Sequence, residues 1–149
     1  MLLRHAKSAG KDDPRLTDHE RPLAPRGERA CEVMAKHLAG TRVDLVLCST
    51  ARRAVDPWEG VKAGVDAGDV RFEDALYTFD EEDLHERLAE LDEGLSSVML
   101  VGHNPALELL IHDLTGEDVG KFPTAALAVI APEDGELVSL ARPRELDDA

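Results

Sequence analysis

Aromatic residues, cysteines and long apolar runs are all scarce in this chain of 149 residues. Only 3% of the residues are aromatic, which leaves few side chains on which nucleic-acid bases could stack. No run approaches the roughly 18 apolar residues that cross a bilayer, and the N-terminus lacks the basic, apolar and cleavage segments of a signal peptide. We therefore expect a cytoplasmic protein that does not act on a membrane.

Basic side chains are a minority, because 17 Lys and Arg stand against 31 Asp and Glu, a formal net charge of −14. Such a surface repels nucleic acid and anionic membranes over long distances, although a local basic site can still bind a small anion. The two cysteines, Cys31 and Cys48, lie in a helical and a strand pattern and lack the spacing of a zinc or redox site. We expect both to be core residues.

Short apolar runs alternate with amphipathic helical patterns along most of the chain. This order predicts an α/β fold, a three-layer α/β/α sandwich with a mostly parallel central sheet. The last two apolar runs flank "PEDG", which predicts a hairpin and at least one antiparallel strand at the edge of the sheet. We expect one domain over residues 1–149, with only the acidic tail, about 145–149, loose. The predicted strands cover 2–5, 44–48, about 70–72 and 97–102; the predicted helices begin near 25, 51, 81 and 105.

Local signals indicate where several helices begin and end. Ser49 or Thr50 can cap the second helix, and Asn104 looks like an N-cap with Pro105 as the first helical residue. The third helix should end at about Gly94, with Leu84, Leu88 and Leu91 on one face. The fourth should bury a stripe formed by Leu107, Leu110, Ile111 and Leu114. Pro57 falls inside the second helix, so that helix should kink or begin late.

Three predicted strands end in residues that can bind an anion. Arg4 and His5 follow the first strand, Arg52 and Arg53 follow the second, and His103 follows the strand at 97–102. Open sheets of this type bind ligands beyond the carboxyl ends of their strands, so these residues can converge in one crevice. Arginine forks match phosphate oxygens, and the following helix N-termini add backbone donors. The pattern favours a bound dianion such as phosphate.

At these segments the chain resembles a known family. "LLRHAKS", "CSTARRA" and "VGHNP" are similar to the signatures of the histidine phosphatase superfamily, in the right order. "ERPLAPRGERA" and the short length are most similar to SixA-type phosphohistidine phosphatases. The resemblance extends from residue 2 to about residue 131, and it implies a phosphoglycerate mutase-like fold.

The resemblance also implies roles for individual residues. His5 would be the nucleophile that is transiently phosphorylated, while Arg4, Arg53 and His103 would bind the oxygens of the transferring phosphoryl group. Arg21 would be an accessory phosphate or substrate contact. The family implies no metal and no other cofactor, because its arginines supply the positive field.

Two further assignments complete the predicted site. Asn104 opens the helix that follows the second histidine, and because helix N-termini offer backbone donors we expect it to contribute to phosphate binding. Arg52 is not expected in the site, because the family's arginine directly precedes an alanine, here Ala54, and we expect Arg52 to face solvent.

The sequence does not decide which residue is the general acid. Glu73, Asp74, Asp18 and Glu20 are all candidates, and no motif selects among them. An imidazole leaving group departs with less help from an acid than an alkoxide does, so the ambiguity favours a phosphoramidate substrate over a sugar phosphate.

The other histidines and one threonine are less informative. His37, His85 and His112 lie in helical patterns with charged neighbours, which is typical of structural or exposed residues. His19 lies in a polar loop, where a contribution to the site is the less expected outcome. Thr124 fits an ordinary residue at the start of a strand as well as it fits a residue that reaches the phosphate-binding crevice. The acidic segment "FDEEDLHE" indicates a solvated helix N-terminus rather than a metal site.

These observations leave ranked hypotheses. The first is a metal-independent phosphatase that hydrolyses phosphohistidine on a protein partner through an intermediate on His5. The second is a phosphatase for a small phosphomonoester such as a sugar phosphate. A non-catalytic phosphate-binding module is the alternative from another class, and a surface interaction protein is a distant third class.

Overall fold

The computed structural model describes residues 1–4, 25–91, 94–118, 127–130 and 137–142. Within these ranges six strands and four α-helices follow one another in an α/β order. The strands are β1 (Leu2–Arg4), β2 (Thr41–Ser49), β3 (Val65–Glu73), β4 (Val98–Gly102), β5 (Leu127–Ile130) and β6 (Leu137–Ala141). The helices are α1 (Pro25–Leu38), α2 (Arg52–Val61), α3 (Glu81–Ala89) and α4 (Ala106–Thr115).

The strands form one mixed sheet in the order β3-β2-β4-β1-β5-β6. The first four are parallel, whereas β5 runs antiparallel to both β1 and β6. The predicted parallel sheet with an antiparallel edge is therefore confirmed. The strand predicted near residues 70–72 is longer than expected and begins at Val65, because an edge strand keeps its pairing with β2 while exposing residues such as Asp66 and Asp69.

Successive residues of β2 supply two different cores. Val46 and Cys48 pack on the face that α1 and α2 cover, with Met34 and Trp58 among their neighbours in that cluster. Leu45, Leu47 and the sheet residues beside them form the second cluster with α3 and α4. Because side chains alternate across a strand, this pattern is the predicted three-layer sandwich. Both cysteines are buried, as the sequence predicted.

Helix ends agree with the sequence at several points. Pro25 is the first residue of α1, and Gly40, with φ of 83°, follows its end in the left-handed region that glycine adopts freely. The Asp80 carboxylate accepts the backbone N–H of Glu82 at 3.0 Å and so caps α3. Gly116, with φ of 74°, ends α4 in the same way as Gly40.

Other helix predictions are wrong. α3 ends at Ala89, well before Gly94, because the backbone N–H groups of the next two residues bond three residues back and close the last turn. Leu114 is 39% exposed, since α4 buries its stripe only as far as Ile111. α2 begins at Arg52 and continues through Pro57, so it does not begin late, whereas the alternative of a kink at Pro57 stays a prediction. Within the described ranges, no helix is both long and apolar enough to cross a membrane.

Candidate functional site

The register of the sheet aligns the carboxyl ends of four parallel strands. Arg4, the last residue of β1, pairs with Gly102, so His103 follows at the same edge. Ser49, the last residue of β2, pairs with Glu73 at the end of β3. The strand ends that the sequence singled out therefore share one edge, as the strand order requires.

His103 is held in place by a serine from the neighbouring strand. Its side chain is buried, and its Nε2 atom lies 2.8 Å from the Ser49 hydroxyl oxygen. That oxygen also accepts the backbone N–H of Ala51 at 3.2 Å, so the hydroxyl proton can be donated to Nε2 of a neutral imidazole. The Ser49 hydroxyl thereby holds the ring in position and keeps its Nε2 atom turned towards the serine.

Two aromatic rings pack against His103. Tyr77 lies 5.4 Å from it between ring centroids at an interplanar angle of 87°, and Phe79 lies 5.8 Å from it at 68°. The two aromatic rings contact each other at 6.0 Å. The Tyr77 ring also lies 5.8 Å from the guanidinium carbon of Arg53. Arg53 and His103, which are distant in sequence, therefore lie against the same tyrosine.

Consecutive arginines at the start of α2 have different environments. Arg53 is only 4% exposed and lies on the sheet side of the helix. Arg52 is exposed, and its Nε atom pairs with the Asp56 carboxylate of the next turn at 3.3 Å. Arg52 thus faces solvent, as the sequence predicted.

Arg4 is the second cation at this edge. Burial lowers the pKa of its guanidinium group, the nearby Glu108 carboxylate raises it, and the positive charge of Arg53 lowers it. The two guanidinium groups are therefore close enough to affect each other electrostatically. Arg4 keeps its charge at neutral pH, because arginine remains protonated in proteins.

The carboxylates proposed as general acids differ in their contacts. Arg87 donates two hydrogen bonds to Glu73, at 2.6 and 2.9 Å, and these bonds hold the pKa of Glu73 below its usual range. Glu73 is therefore ionised at neutral pH and has no proton to donate. Asp74 accepts the Thr50 hydroxyl proton at 2.6 Å.

Several predicted residues lie outside the described residues: His5, Arg21, Asp18, Glu20, His19 and Thr124. Asn104 is described, and its amide oxygen accepts the backbone N–H of Glu108 at 3.3 Å. The predicted N-cap at Asn104 is nevertheless wrong, because α4 begins at Ala106 and the residue before it is Pro105, which makes no side-chain cap. The predicted cap of α2 is wrong, because the residue before that helix is Ala51 and makes no side-chain cap.

The remaining described histidines lie away from this edge. His37 and His112 are exposed on α1 and α4. His85 of α3 pairs with Asp113 of α4, with its Nε2 atom 2.8 Å from the carboxylate. These contacts agree with the structural or exposed roles that the sequence predicted.

Three residues at the edge were not identified as site candidates. The local sequence indicates only a possible helix cap at Ser49, whereas its hydroxyl contacts His103. The sequence assigns no role to Tyr77 and Phe79, although they follow β3 after the short turn Asp74–Leu76, in "LYTFD". Two aromatic residues so close together in an aromatic-poor chain, just beyond a strand end, were a signal that could have pointed to the site.

A cavity of about 330 Å³ lies nearby, between α3 and the turn Asp74–Leu76. Its charged lining is mainly acidic, and its arginine, Arg87, is already paired with Glu73. This cavity does not suit a phosphate. Among the described residues, no group of three His, Cys, Asp or Glu side chains could hold a metal ion.

Known proteins are similar to this chain in both sequence and fold. The sequence model of the histidine phosphatase superfamily (branch 1) matches residues 1–95. An uncharacterized protein of Mycobacterium tuberculosis, Rv1276c, is 35% identical over 140 residues, which is 86% of this chain and 85% of that protein.

Two solved structures extend the similarity to almost the whole chain. A SixA protein of Agrobacterium tumefaciens is 31% identical with a TM-score of 0.84, covering 95% of this chain and 96% of that one. The protein histidine phosphatase SixA complexed with tungstate is 27% identical with a TM-score of 0.81, covering 97% of each chain. The chain is therefore a phosphatase that belongs to the histidine phosphatase superfamily and resembles its SixA-type members in fold.

Proposed function

We propose that this phosphatase hydrolyses phosphohistidine on a partner protein, through a phosphorylated intermediate on His5. The observation that carries the proposal is the convergence of Arg4, Arg53 and His103 at one edge of the sheet, with Arg53 and His103 both buried against Tyr77. The similarity to a SixA protein that binds tungstate, a tetrahedral oxyanion, supports a phosphoryl group as the guest.

The reaction follows from the chemistry of these side chains. His5 comes directly after Arg4, and a lone pair of its imidazole attacks phosphorus while the P–N bond of the substrate breaks. The electron pair of that bond goes to the departing imidazole. Arg4, Arg53 and His103 bind the phosphoryl oxygens and compensate their charge in the transition state, with Arg21 as an accessory contact. Water then attacks the phosphorylated His5 and releases phosphate.

A phosphoramidate fits the ion-paired Glu73 better than an alkyl phosphate does. An alkoxide needs a proton from a general acid as it departs, and Glu73 is kept ionised by Arg87. A phosphohistidine that is already protonated on its second ring nitrogen leaves as a neutral imidazole. This reaction therefore needs no proton from Glu73.

The substrate class is tested by turnover. The kcat/KM of a phosphohistidine peptide is measured beside a panel of sugar phosphates, and we expect the peptide to be the better substrate. Faster turnover of any sugar phosphate would reverse this ranking and favour the small-phosphomonoester alternative.

The mechanism is tested by trapping the intermediate. Labelled phosphodonor should give an acid-labile phosphoenzyme in the wild type and none in His5→Ala. The consecutive arginines provide a matched pair: Arg53→Lys should lower kcat/KM by about 10²–10³-fold, whereas Arg52→Lys should leave it within twofold. A wild type that binds phosphate but forms no phosphoenzyme would instead support a non-catalytic phosphate-binding module.

A further inference from the structure

We propose that Tyr77 and Phe79 form an aromatic subsite that binds the imidazole ring of the substrate phosphohistidine. The inference rests on the proposed function and adds the residues that select a flat, cationic leaving group over a sugar.

The position of Phe79 is unusual for a ring that contacts a buried residue. Its side chain is 50% exposed, yet its centroid lies 5.8 Å from His103, which is 1% exposed. Phe79 therefore extends from the buried end of the site to solvent. Tyr77 contacts Phe79, His103 and Arg53. A group attached to a phosphoryl bound at Arg53 and His103 would then lie next to these two rings.

The leaving ring matches an aromatic wall in shape and charge. Imidazole is flat and can stack on Phe79 or meet its edge, whereas a saturated sugar ring lacks a π face. When phosphohistidine is protonated on its second ring nitrogen, the ring is a cation, and cations bind to the faces of tyrosine and phenylalanine.

The same contact assists the chemistry. Aromatic faces favour the protonated ring over the neutral ring, so they raise the pKa of the bound substrate ring and populate its reactive form. That form accepts the electron pair of the broken P–N bond and departs as neutral imidazole, with its remaining proton on the other nitrogen. No proton from a carboxylate is needed, which agrees with the ion pair that occupies Glu73.

Phe79→Leu tests the subsite, because an exposed ring can be removed with little effect on folding. The kcat/KM is measured for a phosphohistidine peptide and for glycerol phosphate in each variant. Phe79→Leu should lower the value for the peptide by about five- to thirtyfold and change the value for glycerol phosphate by less than about twofold. The alkaline limb of kcat for the peptide should move to lower pH, because the bound ring loses its proton more easily.

Two further variants complete the test. Phe72→Leu removes a ring that is 46% exposed on β3, and it should leave kcat/KM unchanged for both substrates. Phe79→Tyr keeps an aromatic ring and should retain most peptide turnover. If Phe79→Leu lowers kcat/KM equally for the peptide and for glycerol phosphate, or lowers it for neither, the proposed subsite is wrong. Failure of the proposed function appears separately, as a wild type that prefers glycerol phosphate.

Discussion

Replacement of Ser49 by alanine should damage catalysis through His103, a residue that the substitution does not alter. The hydroxyl lies 2.8 Å from Nε2 of His103 and accepts the Ala51 N–H at 3.2 Å, and Ser49 is fully buried. Ser49→Ala removes both hydrogen bonds and leaves two buried polar groups without this partner. The imidazole can then rotate away from the orientation that binds the phosphoryl oxygens.

The magnitude follows from the price of unsatisfied buried groups. Each of the two groups that lose this partner costs about 1–3 kcal/mol, so the free energy of unfolding should fall by about 2–6 kcal/mol. In a chain of this size this corresponds to a drop in Tm of about 2–4 °C for each kcal/mol. If only the about 1–3 kcal/mol of the His103 hydrogen bond is lost in the transition state, kcat should fall by about 5- to 150-fold, since 1.4 kcal/mol is a factor of about ten.

The assay pairs urea unfolding with kcat on a phosphohistidine peptide, and a second serine serves as a control. The Ser97 hydroxyl accepts the backbone N–H of Asp44 at 3.0 Å, in the amino-terminal half of β2. Ser97→Ala should destabilise the fold less than Ser49→Ala, because the Asp44 N–H keeps its bond to the Ser97 carbonyl oxygen at 3.1 Å, and it should leave kcat unchanged. Ser49→Thr keeps the hydroxyl and should retain more activity than Ser49→Ala. The reasoning is refuted if Ser49→Ala unfolds more easily but keeps kcat within twofold of the wild type.

Three further predictions concern stability and reactivity. Glu73→Gln should lower the free energy of unfolding at pH 7 by about 1–2 kcal/mol in urea titrations. Arg87 holds the folded-state pKa of Glu73 below its ordinary value of 4.5, so this stabilisation is present above pH 4.5 and is lost as the pH falls through the lowered pKa. An equal difference in unfolding free energy between wild type and Glu73→Gln at about pH 7 and at about pH 3 would contradict it. Burial raises the pKa of Cys31 and Cys48 to about 12, with nearby carboxylates adding to it, so iodoacetamide at pH 8 should label them only after denaturation. Gly68→Ala should cost about 1–3 kcal/mol in thermal unfolding, because an added Cβ would lie 2.6 Å from a backbone oxygen of β2, and an unchanged Tm would contradict this.

The sequence was sufficient to predict where Arg4, Arg53 and His103 lie, because parallel topology determines which ends of the strands meet. Apolar runs locate the strands, and the residue after each run then lies at the common edge. The two cores follow from the same alternation, as Leu45 and Val46 illustrate by packing on opposite faces of β2. These predictions depend on periodicity, which a single sequence contains.

Contacts between side chains were less predictable. The Ser49–His103 hydrogen bond joins residues on neighbouring strands that are 54 positions apart, and local signals favoured a helix cap at Ser49 instead. The approach of Tyr77 and Phe79 to His103 depends on how the chain turns after β3 and on the rotamers of three rings. The end of α3 was also misjudged, since Gly94 is a typical stop signal but a tightened last turn ended the helix first.

The distribution of charge connects these features to function. With a net charge of −14, the protein has a surface that repels a small free dianion, yet Arg4 and Arg53 lie close enough that the second lowers the pKa of the first. The Glu108 carboxylate raises the pKa of Arg4 and so compensates part of this positive charge, and a dianion between the two arginines would compensate more of it. A phosphoryl group carried on a protein with basic residues avoids the long-range repulsion that a free sugar phosphate meets, so the acidic surface favours a phosphorylated protein as the substrate.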